Sequence, residues 1–246
     1  MTHSSSLTAA LSRVDLPSAR ATFVEQDEAI WFPDLFAPEE LRAMIDALPA
    51  ARAHVHRSYV PTKRKGGSVS ITALQAHTPA LVSWYQEPSF VAFLEALTGE
   101  RLLPCPPSDP HGCALYVYEE AGDHIAGHYD TSFYRGKRFT VLLGLVDDSS
   151  TRLGCEFYTR DKRRLRRVER IATTPGTLVV FNGDRLWHSV SPLGANELRI
   201  SLAMEYVTDQ RMSRLNRVIS DVKDAVAYFG LRGLLRTRRS MPPAPR

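Results

Sequence analysis

From Cys113 onward the chain reads as a succession of short β segments, and this texture limits its fold more than any other feature. The segments "CALYVYEE", "HIAGHYD", "RFTVLLGLVD", "CEFYT", "RVERIA", "GTLVVF", "RLWHSV" and "LRISLAMEYV" are short, β-rich and separated by turn signals. Eight such segments in about a hundred residues predict a jelly roll or a barrel.

The preceding half reads differently. In "DEAIWFPDLFAPEELRAMIDALPA" a short extended piece leads into a helix. Pro38 suits its first turn, Glu39 and Glu40 complement its dipole, and Leu41, Met44, Ile45 and Leu48 form its apolar stripe. Pro49 is expected to end it. "TPALVSWYQEPSFVAFLEALTGE" holds two more helical pieces, broken near Pro88 and stopped by Gly99. "LPCPPSDPHG", with four prolines in seven positions, is a stiff extended connection. Beyond the strands, "TDQRMSRLNRVISDVKDAVAYFG" returns to helix with Thr208 as N-cap and Met212, Leu215, Val218, Ile219, Val222 and Val226 as its stripe. The organisation expected is a flexible tail over 1–20, one domain over 21–230 with its β core at about 113–207, and a basic tail over 231–246.

Composition narrows the class. Hydrophobic residues at 43% and charged residues at 24% are ordinary for a soluble domain, and no apolar run is long enough to span a bilayer. The start, "MTHSSSLTAALSRVDLPSAR", lacks the cationic and apolar regions of a secretory signal. Three cysteines, Cys105, Cys113 and Cys155, without a C-x-x-C suggest a reduced, cytoplasmic protein in which they are small packing residues. The net charge of +4 is local, concentrated in "RDKRRLRRVER" and in the C-terminal arginines; such runs are usually solvated.

His128 and Asp130 lie two apart, so on a strand they face one side. Alone, the pair weighs toward chance rather than a site. His188, in the second half of the strand set, changes this: two histidines and a carboxylate make the facial triad of non-haem iron oxygenases, with open positions that a four-ligand structural zinc site lacks. On "LRISLAMEYV", Arg199, Ser201 and Ala203 face opposite to Leu198, Ile200, Leu202 and Met204. An inward arginine needs an anionic partner, either an internal acid or a bound carboxylate.

Together, H-Y-D at 128–130, "LGCEF" at 153–157, "PGTLVVF" at 175–181, His188 and R-x-S at 199–201 resemble the Fe(II)/2-oxoglutarate-dependent dioxygenases, in the branch similar to prolyl hydroxylases. The resemblance covers about 114–207 and implies a mainly β fold with flanking helices: a double-stranded β-helix (jelly-roll or cupin) core, a helical N-terminal layer and a C-terminal helix. It implies Fe(II) on His128, Asp130 and His188, and 2-oxoglutarate held by Arg199 and Ser201, with Tyr118 and Thr140 assisting. The cofactor set would be Fe(II), 2-oxoglutarate and O2, with ascorbate stimulatory. The reaction implied is hydroxylation of an unactivated C–H bond with release of succinate and CO2.

Two departures sharpen the comparison. Related halogenases replace the carboxylate by a small residue, whereas Asp130 is present. The nucleic-acid demethylase branch typically has a second arginine six residues after the first; here Glu205 stands at that position, so no nucleic acid is expected as partner. Size and helical cover are similar to stand-alone hydroxylases of free amino acids. For such a substrate Arg64 and Lys65, in the loop "PTKRKGGSVS", are candidate carboxylate contacts in a lid, and Glu120 a candidate amine contact. A peptidyl hydroxylase and a non-catalytic cupin-like binding protein are the alternatives. No membrane partner is expected.

Overall fold

The computed structural model describes residues 2–212. The chain opens with helices α1 (Thr2–Leu11) and α2 (Leu16–Glu25), the latter capped by Asp15, whose carboxylate accepts from the Ser18 amide. The flexible tail expected over 1–20 is therefore not found. Leu7, Ala10 and Leu11 are buried in the main core, and both helices pack on α5 (Pro88–Thr98), which supplies the apolar partner that the tail reading left out.

Strand β1 (Ala29–Phe32) precedes α3 (Pro38–Arg52). This helix begins at Pro38 as read but continues through Pro49 for one more turn. Leu48 and Ala51 are both buried, and packing of that face outweighs one missing backbone hydrogen bond. Next comes the hairpin of β2 (His56–Val60) and β3 (Arg64–Val69), then α4 (Ile71–His77) and a 3-10 turn at Pro79–Val82. Helix α5 starts on Pro88 and stops at Gly99, which takes the left-handed conformation with φ 74°.

The strands that follow are β4 (Leu103–Pro104), β5 (Cys113–Tyr118), β6 (His124–His128), β7 (Arg138–Asp148), β8 (Leu153–Phe157), β9 (Arg167–Ile171), β10 (Leu178–Asn182), β11 (Trp187–Val190) and β12 (Leu198–Val207). All eight strand segments read from the sequence are present, within a few residues at their ends. The ladder order is β1-β10-β7-β12-β5-β3-β6-β11-β8-β9, antiparallel throughout, with β2 beside β3 and β4 beside β12.

This order is a path that curls back on itself. Strands β10 and β11 are far apart in the ladder, yet the rings of Phe181 on β10 and His188 on β11 have centroids 4.8 Å apart. Likewise Asp130, just past β6, bonds Thr140 on β7 at 2.8 Å. The architecture is the expected jelly-roll core with flanking helices. Its outer face packs Val141, Leu143, Leu178, Val180, Leu202 and Met204 against the helical layer; its inner face leaves a cavity.

Two sequence expectations change here. "PTKRKGGSVS" is not a lid but the turn and strand of a hairpin, β3 pairing with β2 along one edge and with β5 and β6 along the other. Thr208 does not start a helix: its hydroxyl accepts the Lys137 amide, and residues 208–212 carry no helix, Met212 bridging Tyr134. The rest of the expected C-terminal helix and the basic tail lie outside the described residues. The three cysteines are free and buried. In the basic 160–170 hairpin, Arg166 pairs with Glu156, and Arg164 donates to the Glu25 carbonyl and stacks over Tyr158, so part of that charge ties the hairpin to α2.

Candidate metal centre

His128 and His188 are register partners across β6 and β11, so the ladder sets their imidazoles side by side with ring centroids 4.2 Å apart. Asp130 follows two residues after His128. Its Oδ1 is 3.3 Å from His128 Nε2 and its Oδ2 3.5 Å from His188 Nε2. The three ligating atoms lie within 4.8 Å of one another. In both histidines Nδ1 faces a backbone carbonyl two residues earlier, Ala126 at 2.9 Å and Leu186 at 3.2 Å. A carbonyl only accepts, so Nδ1 carries the proton and Nε2 presents its lone pair to the centre.

The electrostatics favour the same state. Burial, reinforced by His128, brings His188 down to about 4 against the pull of Asp130, so it is neutral at ordinary pH. Burial alone would raise Asp130, but His188, His128 and Arg138 outweigh it and hold the carboxyl well below its usual range. Two imidazoles and one carboxylate form an N2O donor set, three ligands rather than four. That fits a divalent first-row metal with open positions.

The surrounding cavity, of about 770 Å3 including its mouth, is walled by the inner face of the curled sheet and by the connection that carries Asp109 and His111. Arg199 and Ser201 on β12, Tyr118 on β5 and Thr140 on β7 all line it. Arg199 is 1% exposed and stands opposite Tyr118 and Asp147 in the ladders. Its Nε donates to Thr173 Oγ1 at 3.0 Å, and its guanidinium lies 5.3 Å from the Tyr118 ring centroid. Among the described residues no acid forms an ion pair with it within 4.0 Å, and Asp147, its ladder partner, acts on it only at longer range. A buried cation without an acid in a cavity wall fits a ligand carboxylate. Burial pulls its pKa down, with Tyr118 and Asp147 opposing.

Thr140 is placed differently from its expected role. Its hydroxyl lies 2.8 Å from Asp130 Oδ2 and 3.0 Å from Glu205 Oε2, so its described partners are these two acids. The suggested substrate contacts also move. Lys65 and Glu120 pair with each other at 3.3 Å, within a cluster with Arg57 and Asp123, and neither lines the cavity. Arg64, on β3, is buried with its guanidinium over Tyr116 of β5 and is likewise not in the cavity lining. The reason is the hairpin: a strand paired on both sides has no freedom to close over a pocket.

Several lining residues escaped the sequence reading. Asp109 and His111 come from the proline-rich connection, Asp109 accepting from Tyr134 at 2.8 Å and His111 Nδ1 lying 3.2 Å from the Tyr116 hydroxyl. Arg138 pairs with Glu205 through Nε at 2.9 Å. Burial, with Asp130 adding to it, raises Glu205 to about 7 despite Arg138. Glu205 was legible in principle, six residues after Arg199 on the same face of β12. No periodicity marks Asp109 or His111 in a connection without regular structure.

No family model and no curated protein matches the chain. Solved structures do. The epimerase SnoN in complex with Fe3+, alpha ketoglutarate and nogalamycin RO superposes with a TM-score of 0.65 at 15% identity, over 94% of this chain and 91% of that one. A 2OG-Fe(II) oxygenase family oxidoreductase from Burkholderia pseudomallei gives 0.63 at 19% identity, covering 82% and 95%. A Pseudomonas putida prolyl-4-hydroxylase gives 0.57 at 14% identity, covering 80% and 100%. The fold is that of the 2OG-Fe(II) oxygenases. Within this oxygenase fold the His128–Asp130–His188 cluster sits inside the curled sheet, beside the wall that carries Arg199. Among the described residues no helix is long and apolar enough to cross a membrane.

Proposed function

We propose that the protein is an Fe(II)- and 2-oxoglutarate-dependent oxygenase that hydroxylates an unactivated C–H bond of a small molecule. The observation that carries this reading is the conjunction of two features in one cavity: a two-histidine, one-carboxylate donor set and a buried arginine with no acid in ion-pair contact. The first suits a divalent iron; the second suits the far carboxylate of a diacid lying beside it. Structural neighbours that contain Fe3+ with alpha ketoglutarate, or 2-oxoglutarate, support it.

In this reading His128, Asp130 and His188 hold the metal, whose bound chemistry with 2-oxoglutarate and O2 oxidises the substrate and yields succinate and CO2. The chain's own residues do the rest. Arg199 and Ser201 bind and orient the diacid, and Tyr118 packs against the guanidinium. Leu142, Leu153, Ile125 and Val190 line the wall and exclude water from it. No side chain is needed as general base.

An amino acid or related metabolite is the proposed substrate class. Its carboxylate would face Arg138, the second arginine of the lining, rather than Arg64 or Lys65. The test is succinate formation by purified protein with Fe(II), 2-oxoglutarate and ascorbate against a panel of amino acids, with mass analysis of product. Amino-acid-stimulated turnover supports the proposal, and stimulation by peptides alone replaces it with a peptidyl hydroxylase. Absence of metal and 2-oxoglutarate binding leaves a cupin-like binding protein. His188→Ala should abolish turnover, and retained turnover would sink the metal assignment.

A further inference from the structure

Of the three residues in the cluster, Asp130 alone lies outside a strand. The two histidines are fixed by the β6–β11 ladder and by their Nδ1 bonds. Asp130 needs another support. Its backbone packs against Gly183, where an added Cβ would lie 2.5 Å from the Asp130 carbonyl oxygen and 2.8 Å from its Cβ. Its carboxylate is reached by one further side chain among the described residues, the Thr140 hydroxyl.

We propose that Thr140 is a positioning residue for Asp130, and that the Arg138–Glu205 pair keeps the Thr140 proton directed at it. This rests on the reading that the triad holds a metal. Thr140 is well suited to the task. It is 2% exposed, β-branched and therefore stiff, and its backbone is paired on both sides, to Phe181 and to Glu205. A hydroxyl has one proton to donate. Two carboxylate oxygens compete for it, Asp130 Oδ2 at 2.8 Å and Glu205 Oε2 at 3.0 Å. Arg138 Nε–H donates to that same Glu205 oxygen at 2.9 Å. Glu205 is thus supplied by the guanidinium, and the shorter bond from Thr140 goes to Asp130. The chain Arg138–Glu205–Thr140–Asp130 carries the rigidity of the central strands β7 and β12 to the only candidate ligand that has no strand of its own.

The test is titration of metal-free protein with Co(II), followed by its visible ligand-field absorption, which needs no substrate or turnover. Thr140→Val should raise the Co(II) dissociation constant about tenfold and shift the absorption band, as loss of a partner that orients a ligand usually does. Thr140→Ser, which keeps the hydroxyl, should stay within about twofold of the parent. If Thr140→Val does not fold, Thr140→Ala removes the same donor without a methyl against the carboxylates, with the same expectation. Affinity and spectrum unchanged in the hydroxyl-free variant would overturn the positioning role alone. A parent protein without a saturable Co(II) site, or one whose site survives His188→Ala, would overturn the metal reading and this inference with it.

Discussion

Glu205 shows how much one side chain can reveal. It stands where a second arginine would point to nucleic-acid repair, and instead places an acid against Arg138 and Thr140. Burial is the main cause that raises its carboxyl to about 7 from an ordinary 4.5. A folded-state value above the unfolded one means the folded protein holds the proton more tightly. The stability this contributes is complete below about 4.5 and is lost as pH rises through about 7. Urea unfolding of metal-free protein should therefore show the parent losing up to about 3 kcal/mol relative to Glu205→Gln between pH 5 and 8. A difference independent of pH would mean that Glu205 ionises as an ordinary surface acid does.

At the scale of elements, the bulge in β7 organises the Arg199 end of the cavity. Ile200 and Ser201 on β12 face Val146 and Gly144 on β7, so Leu145 is the extra residue. Gly144 then lies in the space opposite Ser201, where an added Cβ would be 2.3 Å from the carbonyl oxygens of both Thr173 and Thr174. Thr173 is the residue that accepts from Arg199. Gly144→Ala should destabilise the protein by roughly 1–3 kcal/mol, read as a lowered urea midpoint. Because the clash falls on the backbone that carries Thr173, 2-oxoglutarate binding measured by calorimetry should weaken in parallel. A variant with unchanged stability and unchanged binding would show that this approach is not a constraint.

For the whole molecule, the N-terminal helices are part of the core rather than an appendage. Leu7 is fully buried and Leu11 nearly so, both in the cluster that joins the helical layer to the outer face of the sheet. Removal of residues 1–13 should cost roughly 3–6 kcal/mol, at about 1.5–3 kcal/mol for each large apolar side chain returned to water. A thermal midpoint unchanged by the truncation would restore the picture of a flexible tail. The β core was legible because its periodicity is local: alternation and turn residues within each of the eight segments carry the strand signal without reference to the rest of the chain. His128, Asp130, His188 and Arg199 were legible because alternation also specifies which face each side chain takes, and the resemblance assigned those faces to the interior. The sequence by itself determined these strands, the inward set on β12 and the chemistry of the donor residues. Only the tertiary structure decided that β3 is a paired strand and not a lid, that Lys65 and Glu120 partner each other, that Asp109 and His111 reach the cavity, and that Thr140 bonds Asp130 and Glu205. These are contacts between strands distant in the chain, made where the sheet curls back, and no local pattern records which backbone will come to lie within hydrogen-bonding reach of another.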